Sequence, residues 1–164
     1  HLSSYWEIPP EQDADFVYYM EDVLDLYHEP YDKNRPVICF DESSKALRGN
    51  ERDSLPAQPG AVARVDYRYK RNGKQRLHIS TEPLTGWVAV EMTGKRRMTE
   101  WIDRMVELAD VHDPDADRIR VVMDQLNTHK PATFYEFFPP DQARAYLDRF
   151  EFYYTPTHGA CVYS

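Results

Sequence analysis

The sequence predicts a mixed α/β protein, a sheet of antiparallel and parallel strands with helices packed against it. Three observations predict it. Alternating, aromatic-rich segments crowd residues 61 to 92, an amphipathic helical segment follows from Met98 to Leu108, and an apolar run, Ile119 to Asp124, comes after that helix. Neighbouring antiparallel strands followed by a helical crossover return a strand parallel to the first.

The first helix is expected from a cap at Asp13 through Tyr27. Phe16, Val17, Met20, Val23, Leu24 and Tyr27 recur at helical spacing, and His28-Glu29-Pro30 ends the run. Pro9-Pro10 closes an irregular lead-in before it. Val37 to Phe40 is a short apolar strand leading into Asp41-Glu42. Residues 43 to 60 are polar, with Gly49, Pro56, Pro59 and Gly60, and read as a long loop.

In residues 61 to 70, Val65, Tyr67 and Tyr69 share one face, and Arg64, Asp66, Arg68 and Lys70 the other. Asn72-Gly73 predicts a hairpin turn, with Leu77 to Thr81 as the returning strand. Pro83 to Gly86 is a turn, and Trp87 to Met92 another strand. Met98, Trp101, Ile102, Met105 and Leu108 mark a helix of about four turns, closed by Asp113-Pro114. Short helices are expected over Pro131 to Phe138 and Pro140 to Phe150, and a last strand over Phe152 to Tyr154.

The 164 residues suit one sizeable core, and 41% hydrophobic with 29% charged residues describes a globular chain. No apolar run approaches the roughly 20 residues of a membrane span. The N-terminus has neither the basic nor the apolar region of a signal peptide. It also lacks Met, so a fragment is expected. Cys39 and Cys161 form no disulfide or metal pattern, which points to a reducing cytoplasm. The net charge of −8 argues against gripping DNA by the overall field, and it suits a site that gathers divalent cations.

Asp41 and Asp124 both follow apolar strands. Ligand sites in such sheets lie beyond the carboxyl ends of parallel strands. If the strands are neighbours, the two carboxylates converge, and they repel unless a proton or cation lies between them. A hard cation such as Mg²⁺ takes carboxylate oxygens together with substrate phosphates. From spacing alone, a helix cap or an Asx turn at Asp124 remains open beside the metal reading. Glu42 adjoins Asp41, but adjacent strand residues face opposite ways, so only one of them can serve the site.

Longer motifs carry more. The segments IPPEQDADFVYYMEDVLDLY, RPVICFDES, YRYKRNGKQRLHISTEPLTGW, RIRVVMDQLNTHKPATFYEFFPPDQA and YYTPTHG run in order from about residue 6 to Gly159. Together they resemble the catalytic domain of bacterial mariner-like insertion-sequence transposases, the DDE superfamily endonucleases. The resemblance implies a ribonuclease-H-like fold with flanking helices, and Mg²⁺- or Mn²⁺-dependent cutting and joining of DNA. It matches Asp41 to the first acid and Asp124 to the second, both as catalytic residues and metal ligands, and places His129 beside the site.

The chain departs from the family pattern in three places. Gln125 stands where Asn is usual, Ser43-Ser44 follow Asp41-Glu42 where Lys-Pro is frequent, and Ala160-Cys161-Val162-Tyr163-Ser164 follow His158-Gly159 in place of Ser-Trp-Leu-Asn and the third acid. The N-terminal helix-turn-helix of the family is expected to have no counterpart here. The expected division is a lead-in with one helix over 1–36 and a catalytic domain over 37–164, incomplete at its C-terminus.

The leading expectation is a transposase catalytic domain acting on transposon ends and target DNA, compatible with a homo-oligomer, cytoplasmic, and without membrane or small-molecule partners. The alternatives are an inactive transposase remnant that keeps the fold and a ribonuclease-H-like nuclease acting on RNA–DNA hybrids. Arg68, Lys70, Arg71, Lys74 and Arg76 make the expected hairpin tip basic, suited either to phosphates or to solvent. Lys95-Arg96-Arg97 reads as a solvated first turn, Trp101 as core, and Cys39 as a buried, inert thiol.

Overall fold

A computed structural model describes residues 14–50, 55–64, 68–93, 98–125 and 130–156. The Asp13 cap, Pro9-Pro10, the face carrying Val65 to Tyr67, Lys95-Arg96-Arg97, His129, Cys161 and the His158-Gly159 tail lie outside these residues. Five strands form one mixed sheet: β1 (Val37–Asn50), β2 (Tyr69–Glu82), β3 (Trp87–Thr93), β4 (Ile119–Met123) and β5 (Phe150–Tyr154). Their order is β3-β2-β1-β4-β5. β1, β2 and β3 pair antiparallel, whereas β1–β4 and β4–β5 are parallel. The helices are α1 (Ala14–His28), α2 (Met98–Glu107), α3 (Phe134–Phe137) and α4 (Pro140–Leu147). The expected mixed sheet, with its crossover helix and parallel return strand, is the one observed.

The two faces of the sheet are packed differently. Ile38, Phe40, Ile119, Val121, Met123 and Phe150 point to one side and meet Trp101, Met105 and Leu108 of the α2 segment, together with Phe134 and Ala143. Trp101 is 1% exposed and its ring stands edge-on to Phe134. On the opposite side Val37, Cys39 and Val122 pack under Val23 and Leu26 of α1. The buried stripe of α1 runs through Val23 and Leu26, whereas Val17 and Leu24, expected to face the core, are exposed. Both stripes satisfy helical spacing; the sheet selects the one centred on Val23. Cys39 is buried beside the Tyr27 hydroxyl, 3.3 Å away. Among the described residues no helix is long and apolar enough to cross a membrane.

Three expectations are corrected. First, β1 does not stop at Phe40 and residues 43–50 are not a loop: the strand runs to Asn50, paired with β2. Ser44 to Arg48 lacks the apolar alternation of a strand because its side chains are exposed on both faces. Backbone pairing, which leaves no hydropathy pattern, defines it. Second, Asn72-Gly73 is not a turn but lies inside β2. The register shifts there, from Ala46 opposite Lys74 to Arg48 opposite Arg71, so two β2 residues oppose Leu47 alone. Gly73 takes φ 105°, and the dipeptide serves a bulge. The chain reverses instead at Pro59-Gly60, where Gln58 and Ala61 exchange backbone hydrogen bonds of 3.0 and 2.8 Å and Gly60 has φ 83°. Third, the helix expected to reach Phe150 ends at Leu147, since Phe150 pairs with Ile119 and opens β5.

The α2 helix continues into a π-helical turn, Leu108–His112. The guanidinium of Arg149 closes that end by donating to the carbonyls of Ala109 (2.8 Å) and Asp113 (2.7 Å).

Candidate active site

The pairing of β1 with β4 sets the site. Val37, Ile38 and Cys39 lie opposite Arg120, Val121 and Val122. Asp41 is two residues beyond Cys39, and Asp124 two residues beyond Val122. Both therefore stand at the same level of parallel neighbours, with the facing parity of Cys39 and Val122, on the α1 side of the sheet. Adjacent strands lie about 4.8 Å apart, so the two side chains are neighbours. Asp41 falls within a continuous β1 rather than at its end; Asp124 follows the last residue of β4.

The electrostatics agree with this placement. Partial burial pushes the Asp41 carboxyl above its ordinary value. The negative charges of Asp124 and Glu42 push the same way, and a hydrogen bond from the Glu42 backbone amide opposes them. Two like charges at a partly desolvated strand level form an arrangement that a cation relieves, and both donors are hard carboxylate oxygens. The residues thus fit a hard divalent ion. Among the described residues no group of three His, Cys, Asp or Glu side chains able to hold a metal ion occurs.

Glu42 faces the other way, as strand alternation requires. Its carboxylate meets His78 Nε2 at 3.1 Å and Arg76 at 3.4 Å. His78 is 2% exposed and packs edge-on against Phe40. Glu42 therefore anchors β1 to β2 directly behind Asp41. Gln125 is exposed.

Sequence reasoning missed two supports of the site. Arg120, in the middle of an apolar strand, is 1% exposed; it is ion-paired to Glu29 just past α1, and its Nε donates to the Arg35 carbonyl at 2.9 Å. The signal in the sequence was an arginine inside an apolar strand, which once buried must find an acid and carbonyls. The second support is Thr155. Its amide donates to the Met123 carbonyl at 2.9 Å and fixes the backbone immediately before Asp124.

Comparisons with known proteins bear on this geometry. The chain matches the DDE superfamily endonuclease family over residues 36–160. No curated protein matches it. Among solved structures it is similar to the Mos1 transposase paired-end complex with left transposon end, at TM-score 0.53 and 16% identity, covering 93% of this chain and 46% of that one. The Mos1 mariner paired end complex with Mn gives TM-score 0.52 and 17% identity, with the same coverages. The Mos1 Strand Transfer Complex gives 0.53 and 15%, covering 93% and 45%. The chain thus spans about half the length of these structures, and at such identities the likeness concerns the fold. With its β3-β2-β1-β4-β5 sheet and its match over 36–160, the chain belongs to the DDE superfamily endonuclease family and has a ribonuclease-H-like fold.

Proposed function

We propose that this chain is catalytic-domain sequence of a mariner-like transposase, which cleaves and transfers DNA strands with Mg²⁺ or Mn²⁺. The observation that carries the reading is the matched level of Asp41 and Asp124 on parallel strands, with the charge of one raising the carboxyl of the other. Asp41 and Asp124 are the proposed ligands and catalytic carboxylates. When bound, the metal supplies Lewis-acid stabilisation of phosphodiester oxygens. The protein's part is positional. Pairing through Cys39 and Val122 holds the two strands in step, and the Glu42–His78–Arg76 contacts and the Thr155 amide fix the backbone on either side. Phe40 and Met123, both fully buried, close the opposite face to water.

The proposed partners are transposon-end and target DNA, met in the cytoplasm, in an assembly compatible with a homo-oligomer. The test incubates the chain with supercoiled plasmid and Mn²⁺. Nicked circles are expected, and they disappear with EDTA, Asp41→Asn or Asp124→Asn. Cutting of an RNA–DNA hybrid without cutting of duplex would favour a ribonuclease-H-like nuclease. Nicking undiminished in both variants, or no nicking at all, would overturn the proposal, the latter leaving a fold without turnover.

A further inference from the structure

We infer that the outer halves of β1 and β2 form a basic arm that seats the sugar-phosphate backbone of duplex DNA, away from the carboxylate pair. This inference rests on the reading of the chain as a DNA-processing domain and adds a second surface to it.

The arm follows from the register. β3 pairs with β2 only over Arg76 to Glu82, and β4 pairs with β1 only over Val37 to Cys39. Beyond these, residues 44–50 and 69–75 have only each other as strand neighbours among the described residues. They form a two-stranded ribbon about 20 Å long at the usual rise per residue. Its charge is one-sided. Segments 43–50 and 68–76 hold seven of the chain's 20 Lys and Arg and none of its 28 Asp and Glu. A chain of net charge −8 thus carries a local excess of +7. Lys45, Arg48, Lys70, Arg71 and Lys74 are all exposed. Arg76, at the root, meets Glu42 on the sheet; further out, among the described residues, no cross-strand partner is acidic.

The pairing itself points to an external anion. Arg48 lies directly opposite Arg71. Like charges at opposed positions of an antiparallel pair destabilise it, and a polyanion removes that cost. The Arg48 guanidinium sits over the Tyr69 ring, 4.4 Å from its centroid, which holds it on the arm. Duplex DNA offers about one charge per 1.7 Å of axis, so a 20 Å ribbon faces roughly six base pairs. The arm is also continuous with the candidate site. Lys45 shares the facing parity of Asp41, four residues along the same strand and about 13 Å away. A duplex lying along the arm therefore leads toward the carboxylates.

The test measures binding of the 164-residue chain to a labelled duplex of arbitrary sequence, about 30 base pairs long, by fluorescence anisotropy in EDTA. The variant combines Lys45→Gln, Arg48→Gln, Lys70→Gln, Arg71→Gln and Lys74→Gln. Exposed substitutions of this kind change stability little, and circular dichroism checks that the fold is kept. A second variant, Lys45→Arg, Lys70→Arg and Lys74→Arg, keeps the charge. We expect the Gln variant to bind at least tenfold more weakly at low salt, with the slope of log K against log salt shallower by about 3–5, since each lost phosphate contact removes about 0.9. The Arg variant should bind as the parent does. Asp41→Asn and Asp124→Asn should not weaken binding, so a parent chain that binds but does not nick, or nicking undiminished in both variants, refutes the catalytic reading and spares the arm. Unchanged affinity and slope in the Gln variant, no binding by the parent chain, or arm-dependent binding of RNA but not duplex DNA would overturn the inference.

Discussion

Replacing Arg120 by Ala should loosen α1 from the sheet that carries the candidate site. Arg120 is 1% exposed and sits on the α1 side of β4, between the Glu29 carboxylate and the Arg35 carbonyl. Truncation leaves the carbonyl without its donor and opens a cavity on the α1 side of β4. It also strips the partner from Glu29, whose side chain is half exposed and recovers solvation. Breaking a buried pair by removing one partner costs about 3–5 kcal/mol; with Glu29 able to reach water, the lower end, about 3 kcal/mol, applies here. For a chain of this length that lowers Tm by about 6–12 °C. Arg120→Met, which fills the space and buries no charge, should cost less than Arg120→Ala. Glu29→Gln should cost about 3 kcal/mol as well, because it leaves the buried Arg120 guanidinium without its counter-ion. The assay is urea unfolding followed by far-UV circular dichroism, with thermal melts alongside. An Arg120→Ala loss below about 1 kcal/mol would refute the reasoning, because the ion pair and its carbonyl contact would then not hold α1 in place.

Three further outcomes follow from the same structure. Burial and the charges of Asp124 and Glu42 raise the folded-state value of Asp41 above its unfolded one, so the stability it contributes is present in acid and lost as pH rises through the folded value. Without metal, Asp41→Asn should therefore be as stable as the parent near neutral pH or better, by less than about 1 kcal/mol given its solvent access, with the gain fading on acidification in a urea series across pH. Gly73→Val should cost about 1–2 kcal/mol, because φ 105° strains any β-branched residue even though open space surrounds the site; equal unfolding midpoints would argue against the bulge. Arg149→Ala should lose about 2 kcal/mol by freeing carbonyls at the end of the α2 segment, and Arg149→Lys should recover only part, as seen in melting temperature.

The legible part of the fold was the part with two-sided burial. Val37 to Phe40 and Ile119 to Met123 are apolar because both faces of the sheet are covered there, and their parallel pairing followed from the intervening helix. The Asp41–Asp124 level follows from those same strands, and Glu42 turned away as alternation demanded. What escaped was structure held by backbone pairing alone. Ser44 to Arg48 carries no hydrophobic period because its side chains are exposed on both faces, and Asn72-Gly73 provides a positive φ that a turn and a bulge use alike. Arg120 escaped for a different reason: its partners lie 85 and 91 residues away, and only the fold brings them to it.

Direct titration of the chain with Mn²⁺, followed by loss of the free-ion paramagnetic resonance signal, tests the central claim. If Asp41 and Asp124 share one ion, the parent chain binds Mn²⁺, and Asp41→Asn and Asp124→Asn each weaken that binding at least tenfold, a loss of about 1.4 kcal/mol. Binding that survives unchanged in either single variant would contradict it, because the two carboxylates would then not form one site.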